Sequence, residues 1–149
     1  MKLMLAVAVA ILLLFCAAPA GAATPTKPER QMLTLVNNVR VKHNLCRLKV
    51  QPTLQRAAVA HSKDMATHLY FDHRNFAARM LPYTRGYSSW AVGENIACGT
   101  HASVLALYHS WWKSPEHRRN MLGNFKDVGV GRACGYGIVF FTMDFGRRS

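Results

Sequence analysis

Three stretches of the 149-residue chain carry side chains that could do chemistry: Tyr70-Phe71-Asp72-His73, Gly93-Glu94-Asn95-Ile96-Ala97-Cys98 and Trp111-Trp112-Lys113-Ser114-Pro115-Glu116-His117-Arg118. Two neutral imidazoles and a carboxylate, His73, His117 and Glu94, make an acceptable ligand set for zinc or another divalent cation, with a position open for water. The same trio would serve as an acid/base pair over a polar substrate. Glu94 lies in an otherwise apolar stretch, where an unpaired carboxylate is costly and needs a partner. His73 follows an aromatic pair at an expected helix end, which places it on a rim. His117 falls in the first turn of a helix opened by Ser114-Pro115. A positive helix end favours the neutral imidazole, the form that ligates metal or accepts a proton. The three residues are 21 and 23 positions apart, with no short-range motif such as H-E-x-x-H to join them. Spacing alone therefore favours two surface histidines and a structural ion pair over a shared cleft.

Other candidates are weaker. His68 and His73 are five apart, off one helical face, and His101 and His109 are eight apart. His61 falls on the stripe Leu54, Ala58, His61, Met65 and Leu69, and is read as a buried, hydrogen-bonded core histidine rather than a ligand. A Cys98/His nucleophile pair competes with a disulfide and a sheet position. Ser62, Ser103 and Ser110 lie inside expected helices, without a nucleophile elbow.

These residues need elements to hold them. Met32, Leu35, Val36, Val39 and His43 recur at helical spacing and predict a helix over 29–44. Cys46 to Val50 reads as an extended link. Pro52 opens a second helix, which runs to Tyr70-Phe71 and presents Asp72 and His73 at its end. Asn75 is expected to cap a short helix through Leu81 that Pro82 stops. A Gly/Ser loop over 85–89 leads to a strand from Trp90 to Ala97, inside which Gly93 marks close approach of a backbone or ligand. Residues 101–113 form a third long helix with Val104, Leu107, Tyr108, Trp111 and Trp112 on its apolar side. Ser114 caps the next helix, which Gly123 ends. Val128–Ala133 and Gly137–Phe145 are strands joined by a Gly135-Tyr136-Gly137 hairpin. Helices around a small, mainly antiparallel sheet make an α+β layered domain.

Lys2, the apolar run from Leu3 to Ala18 and the small residues Ala20-Gly21-Ala22 describe a secretory signal peptide over 1–22. The run is shorter than the roughly 18–20 residues of a membrane-spanning helix, so no transmembrane segment is expected after cleavage. Bulky Phe15 before Cys16 argues against lipid anchoring there. A disordered lead-in over 23–28 and one domain over 29–149 follow, without internal repeats, and the domain is expected to be a monomer. The formal charge is +12, and loss of Lys2 removes only one unit. Such a charge favours an anionic envelope polymer or acidic lipid. Export argues against nucleic acid, and the basic residues are scattered, as on any solvated basic surface. Cys46, Cys98 and Cys134 remain after processing, an odd number in a compartment that permits disulfides. Cys98–Cys134 is the preferred pair, both being next to glycine in segments read as sheet edges.

Taken in order, Leu35-Val36-Asn37-Asn38-Val39-Arg40, Ala60-His61-Ser62-Lys63-Asp64-Met65-Ala66, Tyr70-Phe71-Asp72-His73, Gly93-Glu94-Asn95-Ile96-Ala97 and Trp111 to Leu122 resemble a known family. The ending, Val128-Gly129-Val130-Gly131 with Thr142-Met143-Asp144-Phe145-Gly146, fits too. This is the CAP superfamily, the SCP domain of cysteine-rich secretory proteins, antigen 5 and pathogenesis-related 1 proteins, in its compact bacterial branch. The resemblance spans about residues 29–146. It implies a three-layer α-β-α sandwich and a cleft lined by two histidines and acidic residues, which in some members holds a divalent metal. His73 and His117 match the cleft histidines and Glu94 the first acid. The family pattern has a second glutamate three residues after the helix tryptophan, where this chain has Ser114. Glu116 stands close by, and the sequence leaves open whether Ser114 or Glu116 takes that place.

The family includes lipid or sterol binders, cell-wall-associated proteins and some hydrolases, so the fold does not fix the reaction. The first expectation is a secreted binding module for an envelope, lipid or other extracellular ligand, using the His/Glu cleft and the basic surface. The second is a structural or adhesion domain with a vestigial cleft. The third is a metal-assisted extracellular hydrolase using His73, Glu94 and His117; no nucleophile is visible in the sequence.

Overall fold

The computed structural model of the protein describes residues 24–84 and 87–148. The expected signal peptide over 1–22, with Cys16, lies outside the described residues. Helix α1 is Lys27–Lys42. It starts inside the segment expected to be a disordered lead-in, because Glu29 reaches back to accept from the Thr26 N–H at 2.6 Å and Pro28 fits the first turn. Met32, Val36 and Val39 are buried, whereas His43 is the exposed C-cap rather than part of the stripe. The other Glu29 oxygen accepts from the Arg132 N–H at 2.9 Å, tying this helix to the sheet.

Strand β1 (Lys49–Val50) precedes α2 (Pro52–His68), whose first amides are capped by the Gln51 side chain. Leu69 ends α2 in the left-handed conformation and is 49% exposed, so the buried stripe stops at Met65. Helix α3 is Phe76–Met80; Asn75 stands at its N-cap, but in the left-handed region and without a capping hydrogen bond. Strand β2 is Tyr87–Thr100, so it begins within the expected loop. Helix α4 (Val104–Lys113) is capped by Ser103, and α5 (Pro115–Met121) by Ser114. Strands β3 (Asp127–Gly135) and β4 (Ile138–Arg148) complete the chain. Their connection is a two-residue turn, Tyr136 and Gly137, with φ of 52° and 76°. Positive φ at both positions matches the twist of the strands it joins.

The sheet order is β1-β3-β4-β2, with β1 parallel to β3 and the other pairs antiparallel. Alternation along β4 builds the layers. Val139, Phe141, Met143 and Phe145 join Met32, Val36, Leu107, Trp111 and Met121 in the main core on one face. Phe140 joins Met65, Ala66 and Ile96 on the other, and Thr142 meets Ser62 of α2 at 2.9 Å. The result is the α-β-α sandwich that the sequence led us to expect, with α2 on one face and α1, α4 and α5 on the other.

The expected Cys98–Cys134 disulfide is absent, and among the described residues Cys46, Cys98 and Cys134 are free thiols. The reason is register. Cys98 pairs with Phe140 and Cys134 with Val139, so β4 lies between the two cysteines and they face opposite sides of the sheet. Two strand spacings of about 4.8 Å exceed the roughly 7 Å limit for a bridge.

Candidate functional site

Glu94 is buried at 6% exposure, and both its oxygens are engaged. Its Oε1 is 2.8 Å from His73 Nδ1, and Oε2 accepts from an Arg79 terminal nitrogen at 2.5 Å. The chain between β2 and α2 folds this way because Arg79 sits on α3 and also donates to the His73 carbonyl at 3.3 Å. One carboxylate thus holds both the His73 turn and α3 against the sheet. The imidazole of His61 reaches the same carboxylate from α2, with Nε2 3.9 Å from Oε1. His61 is buried, as expected, but among the described residues its Nε2 has no hydrogen-bond partner.

A second acid comes from β4. Asp144 is directly opposite Glu94 in the register and fully buried; among the described residues no donor reaches either of its oxygens, and its protonated form hydrogen-bonds to Glu94. Burial and the negative charge of Glu94 push its carboxyl well above the usual carboxylate range. Burial also opposes ionisation of Glu94, but the hydrogen bond from His73 and the Arg79 guanidinium outweigh it and hold that carboxyl below its usual value. The two carboxyls are driven apart: Glu94 ionised, Asp144 protonated.

The sign of the pH dependence follows. Unfolded Asp144 ionises in the ordinary range while the folded form keeps its proton, so its burial costs stability as pH rises past that range. Asp144→Asn removes the titration and keeps a donor, so the variant should melt several degrees higher at pH 7. The gain should vanish near about pH 3, where the carboxyl is protonated in both states. Thermal melts across pH check this, and an equal gain at both ends would show that Asp144 does not titrate this way. Glu94 works oppositely: its contribution is present at neutral pH and is lost as pH falls through its depressed folded value.

His73 is half exposed at its side chain, and the hydrogen bond to Glu94 raises its pKa despite some burial. His117, on α5, moves the other way. Burial lowers its pKa first and the charge of His73 lowers it further; the expected direction holds, but burial rather than the helix end is the main cause. Among the described residues its buried Nδ1 has no partner. Asparagines tie α5 to β2: Asn120 donates to the Glu94 carbonyl at 3.1 Å and to the Asn95 side chain at 2.9 Å, and Asn95 donates to the His117 carbonyl at 3.0 Å. A Cβ on Gly93 would meet side-chain atoms of Asn120 and Phe125 at 3.3 Å, so side chains stand where the approach of a backbone or ligand was expected. Ser114 spends its hydroxyl as the cap of α5, accepting from the His117 N–H, and Glu116 is exposed. Among the described residues, no three histidine, cysteine, aspartate or glutamate side chains are grouped to hold a metal ion.

The family model for the cysteine-rich secretory protein family, CAP, matches residues 33–145. The chain belongs to this family. Two Bacillus subtilis relatives of the CAP domain are YkwD, 35% identical over 69% of the chain, and the membrane protein YlbC, 32% identical over 83%. The chain spans only 41% and 35% of their lengths. Among solved structures, an extracellular SCP-domain protein from Bacillus anthracis is 31% identical with a TM-score of 0.70, covering 81% of this chain and 40% of that one. An outer surface protein from Borrelia burgdorferi has a TM-score of 0.75 at 21% identity, covering 85% and 97%, and shows the likeness of fold. These neighbours of the CAP domain are extracellular or surface proteins, and among the described residues no helix is long and apolar enough to cross a membrane.

Sequence reasoning missed Asp144 and Arg79, and read His61 as core alone. Asp144 carried the same signal as Glu94, a carboxylate inside an apolar strand, here within Phe140-Phe141-Thr142-Met143-Asp144-Phe145.

Proposed function

We propose that the chain is an extracellular binding module that takes the anionic group of an envelope ligand at the His73 rim of this cleft. The observation that carries the reading is that both oxygens of Glu94 are occupied, by His73 and Arg79. A carboxylate so held is a brace for those two groups rather than a free base. It keeps the half-exposed His73 ring oriented and favours its cationic form. The chain's formal charge of +12 would draw such a ligand in. Cosedimentation with phosphatidylglycerol vesicles, beside phosphatidylcholine vesicles, tests it. Binding should require the anionic lipid, weaken with salt and fall in His73→Ala. Equal binding to both vesicles, or none to either, would sink the reading.

A second reading is supported by the unpaired Nδ1 of His117. His73 and His117 would hold zinc or another divalent cation, which would supply Lewis acidity. Glu94, bonded to the other nitrogen of His73, would orient that ring rather than ligate. Calorimetric zinc titration decides it: stoichiometric binding lost in both His73→Ala and His117→Ala supports it, and none in the folded protein removes it.

A further inference from the structure

We propose that the recess beside β1, at the sheet edge opposite β2, is a second binding site, for a small soluble phosphate ester of sugar-phosphate size. The recess encloses about 400 Å³ and is lined by Cys46, Arg47, Lys49, Lys126 and Asp127. Small-molecule sites span about 300–1,000 Å³, so this space takes a phosphate together with the organic part that bears it. The proposal goes beyond the cleft reading and stands without it, because β3 and β4 lie between β1 and β2.

Two stretches of chain make the walls, the link 46–49 and the loop that enters β3, and hydrogen bonds fix both. The Lys49 N–H donates to the Lys126 carbonyl at 2.9 Å, and the Lys126 N–H to the Gly146 carbonyl at 3.0 Å. The buried Arg40 guanidinium donates to the Cys46 and Phe125 carbonyls at 2.9 and 3.0 Å, and so ties one wall to the other. The recess is therefore formed before a ligand arrives, which lowers the ordering cost of binding.

Charge selects the guest. Asp127, the single acid of the lining, is paired with Arg148 at 3.1 Å. Among the described residues Arg47, Lys49 and Lys126 make no ion pair, and all three are exposed. Like charges around one space repel, and an anion placed between them relieves the repulsion. A carboxylate brings one charge. A phosphate monoester brings about −1.5 to −2 and three acceptor oxygens, and the guanidinium fork of Arg47 matches it with two parallel bonds. The same three cations disfavour a metal ion, although a thiol and a carboxylate stand in the lining. A recess with fixed walls admits a group that can enter it, which favours a soluble ester over the flat face of a bilayer.

Cys46 supplies the readout, as an exposed thiol in the lining. Cys134, exposed at the far end of β3, is the internal control. Alkylation of each thiol by iodoacetamide is followed by peptide mass mapping while glucose 6-phosphate is titrated, beside gluconate, glucose and phosphatidylglycerol vesicles. Glucose 6-phosphate should slow alkylation of Cys46 at least about threefold, with half-saturation at about 0.1–1 mM, and leave Cys134 unchanged. Gluconate should need roughly tenfold more, glucose should do nothing, and added salt should weaken the protection. Lys49→Gln combined with Lys126→Gln keeps the backbone bonds of both walls and should abolish protection, with an unchanged Cys134 rate showing that the fold is intact. His73→Ala should keep it. No protection up to about 20 mM, equal protection by gluconate, protection by vesicles alone, protection retained in the double variant or protection lost in His73→Ala would overturn the proposal.

Discussion

Gly129→Ala is expected to leave the domain barely folded. A Cβ on Gly129 would lie 2.0 Å from the Leu54 carbonyl oxygen and 2.1 Å from its carbon. At Gly131 the same atom would meet the Ala58 carbonyl oxygen at 2.1 Å. These are backbone atoms of α2, one turn apart, and no side chain can rotate to make room. Relief requires α2 to lift from β3, exposing Leu54, Ala57 and Met65, all of which are at most 1% exposed in the fold. Overpacking in which side chains can yield costs about 1–3 kcal/mol, so a collision with a helix backbone should exceed that range. The corresponding fall in melting temperature is more than about 10 °C. Far-UV circular dichroism on heating measures it. Gly93→Ala is the control, because its nearest neighbours are side-chain atoms at 3.3 Å that can give way. A Gly129→Ala melt close to that of the parent would mean that α2 does not rest on β3 as described.

The second large effect is expected at Arg40, which is 1% exposed and whose hydrogen bonds all go to backbone carbonyls. Its guanidinium donates to the carbonyls of Cys46 at 2.9 Å, Met121 at 2.8 Å, Gly123 at 2.9 Å and Phe125 at 3.0 Å. The last three belong to the end of α5 and the loop after it, where a helix leaves unpaired carbonyls and partial negative charge. Arg40 is the C-terminal clamp of the helix that carries His117. Arg40→Met keeps much of the volume and strands those carbonyls, at a cost of about 3–5 kcal/mol. Arg40→Lys should recover only part of it, since an ammonium lacks the planar fork that reaches several acceptors at once. Denaturant unfolding gives the stability, and hydrogen exchange at 118–125 reports on the clamp. A loss below about 1 kcal/mol would show that water replaces the guanidinium without cost.

How much was legible in the sequence differs by element. The Ser114-Pro115 start of α5 was plain because capping and proline chemistry are local. Gly135-Tyr136-Gly137 was plain for the same reason. The start of β2 was misplaced because Tyr87, Ser88 and Ser89 have loop-like composition, and pairing of Tyr87 with Arg148 across the sheet overrides it. The Cys98–Cys134 pair failed on register, which adjacent glycines cannot reveal. The cleft was half legible. His73 and Glu94 do meet, but the other charged partner of Glu94, Arg79, and the second acid, Asp144, lie 15 and 50 positions from Glu94 and are brought in by α3 and by strand pairing. An isolated arginine in a short helix says nothing of its partner until the chain has folded.

β2 is one of the two outer strands of the described sheet, and an outer strand offers a row of unpaired backbone groups to any other chain. Two of its carbonyls, at Glu94 and Ile96, are already taken, by the Asn120 amide at 3.1 Å and the Trp111 indole at 2.8 Å. They are alternate residues, so both point the same way. A stray strand seeking to extend the sheet here would have to displace the two side chains that hold α4 and α5 in place. The bonds that position the cleft thus also guard the sheet against self-association, and a variant that frees this edge should be read for aggregation as well as for binding.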